Sequence, residues 1–175
     1  MRPKGSMIRK MGWKLLWLGI VVLVAWGGLR IYYEVSYTIC CGGRLKRAAD
    51  ANTVPIALQE LTAALTGIEA RSWTIGYTSL LWRTPSEDVG FWYRNLVASK
   101  VELSTLSANA SSLERSNMLM KLRETLLDTG QTVSVTTPYG VAVYPNNWAF
   151  CLAGLFGSLL AGVGALLLER TKDEF

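Results

Sequence analysis

An uncharged stretch of 21 residues, Trp148–Leu168, constrains this chain more than any other feature of its sequence. A helix rises about 1.5 Å per residue, so a helix of this length would cross the roughly 30 Å hydrocarbon core of a bilayer. Helices in the cores of soluble proteins are seldom apolar on every side over such a length. The stretch therefore predicts a transmembrane helix, with a lipid bilayer as the first expected partner.

A second apolar run, near the beginning of the chain, predicts another transmembrane helix at residues 13–33. Its centre, Leu15–Leu29, is uncharged, and tryptophan and tyrosine residues lie near both ends, as they do at membrane interfaces. A cleaved signal peptide is the alternative interpretation, because a basic start followed by an apolar run also fits one. The bulky, aromatic segment Arg30–Ile39 offers no cleavage site with small residues, which favours an uncleaved anchor.

The distribution of charge predicts the orientation of both helices. The segment Met1–Lys14 holds five basic residues and no acidic one, whereas residues 32–147 hold ten basic and ten acidic residues. The positive-inside rule then places the basic tail, residues 1–12, in the cytoplasm, and residues 169–175 return to the same side. The net charge of +5 is accordingly a topology signal, and no nucleic-acid partner is expected.

The intervening segment, residues 34–147, is expected to form an extracytoplasmic domain, which in a bacterium would be periplasmic. We therefore predict an integral protein of the bacterial inner membrane with two spans, residues 13–33 and 148–168, and both termini in the cytoplasm. The predicted fold class is a mainly α membrane protein. Its two transmembrane helices flank a helical extracytoplasmic domain that includes a small β-hairpin.

Local signals predict three helices in this domain. Asn52 or Thr53 caps the first, Pro55 lies in its first turn, and four apolar residues follow at alternating spacings of three and four. The second and third begin at the capping boxes Thr84–Glu87 and Ser111–Glu114. The residues expected to be buried are Leu58, Leu61, Leu65 and Ile68 in the first helix, Val89, Trp92, Tyr93, Leu96 and Leu103 in the second, and Leu119, Leu122 and Leu126 in the third.

Glycines and β-branched residues predict where the helices stop. Gly42 and Gly43 are expected to interrupt the extension of the first span, and Gly130 is expected to end the third helix of the domain. Beyond Gly130, valines alternate with polar residues before and after the turn Thr137–Gly140, which predicts a hairpin. The two predicted strands carry Val133 and Val135, and Val141 and Val143.

Several residue types needed for common catalytic and metal sites are missing. The chain contains no histidine, so by itself it cannot build a Ser-His-Asp triad or a histidine-ligated metal or haem site. Cys40 and Cys41 are adjacent, and a disulfide between neighbours is strained, so we interpret the pair as structural or incidental, with a redox role as the alternative. No phosphate-binding loop, dinucleotide fingerprint or calcium loop is present. The sequence predicts no enzyme, catalytic residue, metal ligand or cofactor.

Small residues recur at helical spacing in the second predicted span and define a predicted helix-packing interface. Small side chains allow two helix backbones to come close, and close packing is how helices associate in lipid. The interface consists of Ala153, Gly154, Gly157, Ser158, Ala161, Gly162 and Ala165. In the domain, the aromatic-rich segment 72–93 is a candidate partner surface, formed by Trp73, Tyr77, Trp82 and Phe91.

These features favour a non-catalytic integral membrane accessory, scaffold or assembly subunit of a larger membrane protein complex. The expected partners are other membrane protein subunits or further copies of the chain. The alternative is a membrane-anchored sensory or ligand-binding module, because two spans around a helical domain can pass a signal inward. The tail of seven residues, 169–175, leaves no cytoplasmic output domain, which counts against this alternative.

Overall fold

The computed structural model is mostly helical and divides into two compact units. It describes residues 4–79, 82–106, 109–128, 133–143 and 147–171. The first unit combines residues 1–32 with residues 147–175, and the second is formed by residues 33–146. Each unit is described by itself below.

Two long helices form the first unit. Helix α1 runs from Lys4 to Tyr37, so that its last residues belong to the second unit, and helix α6 runs from Trp148 to Arg170. Both are long and apolar enough to cross a membrane, and only 6% and 11% of the residues in their apolar windows are buried. The core helix of a soluble protein is mostly buried, which these two apolar windows are not.

The expected interruption of the first helix at Gly42 and Gly43 is wrong. A π-helical turn, Thr38–Gly42, follows α1 directly, and helix α2, Gly43–Ala49, follows the turn. Both glycines have right-handed helical dihedral angles, and the Gly43 N–H donates to the Thr38 carbonyl, five residues back. Glycine permits a break but does not require one, and here neighbouring helices hold the chain in a continuous helical path.

Helix α3, Val54–Glu69, confirms the first predicted helix of the domain. Thr53 has the extended conformation of a residue before a helix, although its side chain makes no capping hydrogen bond, and Pro55 lies in the first turn. One side of α3 packs against α2 and forms the centre of the core. The largest of the fully buried side chains of the domain are Cys41, Leu45, Leu61, Leu65, Ile68, Val89, Leu96 and Leu126.

The second predicted helix begins later than the sequence suggests. The capping box at Thr84 forms, with its N–H and hydroxyl donating to Glu87, but it opens only a 3₁₀ turn, Pro85–Glu87. Helix α4, Val89–Thr105, is capped instead by Asp88, whose carboxylate accepts the Phe91 N–H at 2.9 Å. Asp88 breaks the helix because its extended backbone pairs with Tyr77 in an isolated β-bridge.

Helix α5, Ser112–Leu126, confirms the third predicted helix and its capping box. The Ser111 hydroxyl accepts the Glu114 N–H at 3.2 Å, and the Ser111 N–H donates to the Glu114 carboxylate at 2.6 Å. Hydrogen bonding of the Glu114 carboxylate to Ser111 holds the pKa of Glu114 below its ordinary value. The bond from the Ser111 backbone has the larger effect and the bond from the Ser111 hydroxyl the smaller one. The carboxylate part of the box therefore stabilises the helix most while Glu114 is ionised.

We expect this capping box to lose its effect in acid. Because the pKa of Glu114 is lowered by folding, the unfolded chain binds the proton more readily, and stability is lost as pH falls from the ordinary value near 4 through the folded value. Thermal unfolding of the protein in mild detergent, followed by near-UV circular dichroism at several pH values, measures this loss. The Glu114→Gln variant should be less stable at neutral pH and less sensitive to acid. An identical acid response in both proteins would contradict the prediction.

A small antiparallel sheet is present as predicted, but the expected first strand, at Val135, is its second strand and pairs with an earlier segment. Strand β1, Leu127–Asp128, directly follows α5 and pairs antiparallel with β2, Ser134–Val135. Val141 and Val143 were expected to form a strand but lie in turns, where their N–H groups donate to the carbonyls of Pro138 and Gly140. Both valines are buried, as is Ala142 between them, so these turns bury consecutive residues and the alternation of valines does not indicate a strand. The predicted stop at Gly130 falls outside the described residues.

Candidate helix-packing interface

The two long helices of the first unit pack through glycines on both sides. Gly157 and Gly164 of α6 are buried, as are Gly12 and Gly19 of α1. A Cβ atom placed on Gly19 would overlap the backbone of Ala161, and one placed on Gly164 would lie 2.8 Å from the Gly12 carbonyl oxygen. The two backbones are therefore in direct contact, and no residue larger than glycine fits at these positions without moving a helix.

The contacting row of α6 differs in part from the predicted interface. Contacts run through Gly154, Gly157, Ala161, Gly164 and Leu168, at alternating spacings of three and four. This alternation keeps a row of residues along one side of a helix, whereas a spacing of four drifts around it. Gly164 is therefore a contact residue that the sequence prediction missed.

Trp26 occupies one end of this contact. Its indole N–H donates to the Phe150 carbonyl at 2.8 Å, and the two rings stack with centroids 5.5 Å apart. Gly154 makes room for the indole, because a Cβ atom there would lie 2.9 Å from the ring. The Arg30 guanidinium lies 5.8 Å from the ring centre on the same helix. Trp26 thus fixes the pairing of the helices with a polar bond as well as by shape.

Three of the remaining small residues of the predicted interface lie on one side of the helix and form what we term the outer row of α6: Ser158, Gly162 and Ala165. The fourth, Ala153, lies nine residues from Gly162, on the opposite side of the helix. All four are exposed. A Cβ atom on Gly162 would meet no described atom within 4 Å. Helix α1 therefore uses only part of the small-residue surface of α6, and the outer row stays open.

The aromatic residues of the candidate partner surface fall into two groups. Trp73 is only 8% exposed and packs against Tyr37, with ring centroids 5.6 Å apart and the Arg71 guanidinium 5.5 Å from the Trp73 ring. Trp82 and Phe91, by contrast, are 77% and 55% exposed. These two rings are accessible in the structure.

Tyr77 is intermediate in exposure and carries a guanidinium group over its ring. The Arg83 group lies 5.3 Å from the ring centroid. The Tyr77 ring is therefore partly covered, and we leave it out of the accessible pair formed by Trp82 and Phe91.

A buried carboxylate joins α2 to α3 and was not anticipated from the sequence. The Glu60 side chain is only 7% exposed, and its Oε1 pairs with Arg47 Nη2 at 2.6 Å. Its Oε2 is buried and accepts no hydrogen bond from the described residues, with Arg44 Nη1 3.6 Å away. Glu60 lies about two turns into an apolar helix, where its sequence position alone does not show that it is buried. Its burial could be predicted only by knowing that α3 packs against Arg44 and Arg47 of α2.

Removing Arg47 should destabilise the domain more than neutralising Glu60 does. Arg47→Met leaves a buried carboxylate without its close partner, at a cost of about 1–3 kcal/mol, whereas Glu60→Gln leaves an arginine that is 72% exposed and stays hydrated. The free energy of opening of α2 and α3, measured by amide hydrogen exchange, tests the difference. The Arg47→Met/Glu60→Gln double variant should recover part of the loss. Equal costs for the two single variants would contradict this assignment.

Within the described ranges, no group of three or more His, Cys, Asp or Glu side chains comes together to hold a metal ion. Two described surfaces are open to another molecule: the outer row of α6 and the exposed rings of Trp82 and Phe91. No family model matches the sequence, and no curated protein or solved structure is significantly similar to the chain.

Proposed function

We propose that this chain is a non-catalytic integral membrane accessory, scaffold or assembly subunit of a larger membrane complex. In this proposal both candidate spans cross the bacterial inner membrane, the termini are cytoplasmic, and the helical domain is periplasmic. The basic segment at the beginning of the chain supports that orientation. Partner subunits, or further copies of the chain, would bind along α6.

The observation that carries the proposal is the open outer row. Helices in lipid gain little from the hydrophobic effect when they associate, so they rely on close packing between small residues and on interhelical hydrogen bonds. Contact with α1 occupies Gly154, Gly157, Ala161 and Gly164 of α6, yet the three small residues of the outer row remain exposed on the same helix. A second helix backbone could approach at Gly162, where the space around the α-carbon is open.

The exposed rings of the domain offer a second contact region. Trp82 and Phe91 present large apolar surfaces, and aromatic residues are enriched at the centres of protein interfaces. In this proposal the rings bind a partner subunit outside the membrane, independently of the outer row.

The proposal is tested by enlarging the outer row without disturbing the α1–α6 contact. We expect Gly162→Leu to reduce the recovery of partner chains at least several-fold when the protein is purified from native membranes in mild detergent. Val163→Leu is the matched control, because it adds bulk at the neighbouring, exposed position. Membrane levels of the two variants are matched before comparison. Equal recovery of the same partners with both variants would overturn the proposal.

The alternative of a sensory or ligand-binding module is favoured by two observations. Helical structure continues without a break from α1 through the π-helical turn into α2, which could carry a displacement along the chain. An open cleft of about 620 Å³ lies by the first turns of α3 and α5, with Thr53, Pro55, Ser112 and Arg115 among its lining residues. This alternative predicts that a small molecule raises the melting temperature of the purified protein in the absence of any partner chain.

A further inference from the structure

Cys40 and Cys41 lie in the π-helical turn that joins α1 to α2. Their sulfur atoms are 2.8 Å apart. Side chains of adjacent residues in a regular helix point in different directions and do not face each other. The π-helical turn therefore holds together two thiols that an uninterrupted α-helix would separate, and turns of this kind are frequent at functional sites.

The two cysteines differ in access. Cys40 is half-buried, whereas Cys41 is completely buried. Gly67 of α3 closes the site from the inside, since a Cβ atom on it would lie 3.1 Å from Cys41 Sγ and 3.3 Å from the Cys40 carbonyl oxygen. A reagent from solvent must therefore meet Cys40 first.

The distance between the sulfur atoms distinguishes two kinds of chemistry. A disulfide bond is about 2.05 Å long, so the sulfur atoms would have to approach by roughly 0.8 Å. A metal ion held by both thiolates at about 2.3 Å, in a tetrahedral arrangement, would require the sulfur atoms to separate to nearly 4 Å. Separation would push Cys41 towards Gly67, and no third protein ligand is present among the described residues. The geometry thus favours bond formation between the sulfurs over metal binding.

We propose that Cys40 and Cys41 form a reversible dithiol–disulfide site whose substrates are disulfides of low molecular weight. The Cys40 thiolate attacks a substrate X–S–S–X, forming a Cys40–X mixed disulfide and releasing one thiolate, which takes up a proton. Cys41 then loses its proton, its sulfur attacks the Cys40 sulfur, and the second X–S⁻ leaves and is protonated. Two electrons pass from the cysteines to the substrate, which yields two X–SH molecules.

The backbone explains why this disulfide is reversible. Neighbouring α-carbons are about 3.8 Å apart across a trans peptide, whereas disulfides usually join α-carbons about 4.4–6.8 Å apart. The resulting strain makes the bond easy to reduce, which is typical of labile and regulatory disulfides. The strain falls on a turn that already departs from α-helical hydrogen bonding, because the Gly43 N–H donates to Thr38 and not to Ile39.

A single tryptic peptide reports the reaction, because residues 31–44 contain Cys40 and Cys41 while Cys151 lies elsewhere. The full-length protein in mild detergent is treated with a large excess of oxidised glutathione free of reduced glutathione, so that closure of a strained bond is driven by mass action. Its free thiols are then blocked with N-ethylmaleimide, and the peptide is weighed. We expect a peptide that lacks two hydrogen atoms and carries no maleimide. Reduction with dithiothreitol before blocking should restore two maleimide groups. Two maleimides after oxidation, glutathione retained on Cys40, or disulfide-linked dimers would each overturn the proposal.

The control keeps two adjacent cysteines but changes their placement. Ile39→Cys/Cys41→Ser places the pair at positions 39 and 40, and the Ile39 side chain is 73% exposed. We expect this variant to accumulate glutathione adducts and to form at least several-fold less internal disulfide than the native chain. If the displaced pair closes as completely as the native pair, adjacency alone is responsible, and the π-helical turn has no role in the reaction.

Discussion

Replacing Gly19 by leucine is expected to separate α1 from α6. A Cβ atom at Gly19 already overlaps the Ala161 backbone, so the added side chain cannot be accommodated by rotating a neighbouring side chain. The cost should exceed the roughly 1–3 kcal/mol typical of inserting extra methylenes into a packed core. Each helix should remain helical, since its backbone hydrogen bonds lie within the helix.

Spin labels on the paired helix ends measure this separation. Lys10→Cys and Glu169→Cys place labels near the contact between Gly12 and Leu168, in a background where the native cysteines are serine. The distance between the labels in lipid nanodiscs should be short and narrowly distributed in the parent, and longer and broader after Gly19→Leu. Gly27→Leu is the matched control, because a Cβ atom at Gly27 meets nothing within 4 Å. Unchanged distances with both variants would contradict the described packing.

The second large effect is expected in the core of the domain. Leu61 is completely buried on α3, so Leu61→Ala removes packed methyl groups and leaves a cavity that costs about 2–5 kcal/mol. Thermal unfolding in mild detergent, followed by near-UV circular dichroism, should show a clear fall in melting temperature. Ile56→Ala on the same helix is the control, since Ile56 is half exposed and should cost far less. A similar fall in melting temperature for both variants would mean that α3 does not bury the side that carries Leu61.

Elements with signals close in sequence were predictable, and those set by distant contacts were not. The start of α5 follows from Ser111 and Glu114, which satisfy each other's backbone groups within four residues. The partner of β2 is instead decided by where α5 ends, because strand β1 begins at the residue that directly follows this helix. Val141 and Val143 are buried although they lie in turns, so valines at alternate positions indicate burial without specifying a strand.

The contact side of α6 was ambiguous because small residues lie on more than one side of that helix. Which of them meets α1 depends on the partner, and α1 carries the clearer signal. Gly12, Gly19 and Trp26 recur every seven residues, the repeat expected of positions that face a neighbouring helix over its whole length. Reading the two helices as a pair would have singled out Gly164, which lies opposite Gly12 and Leu16.

The glycines between α1 and α6 have a consequence for how the sequence can vary. In an ordinary core, a larger residue at one position can be offset by a smaller one opposite, so that total volume is kept. Gly19 faces the main chain at Gly157 and Ala161, and Gly164 faces the main chain at Gly12 and Leu16. The main chain cannot be made smaller, so a compensating second substitution is not available at either site. Amino-acid substitutions in this pair of helices are therefore confined to the residues around the glycines. A core residue of the domain such as Leu61, which packs among side chains, can instead be replaced together with its neighbours.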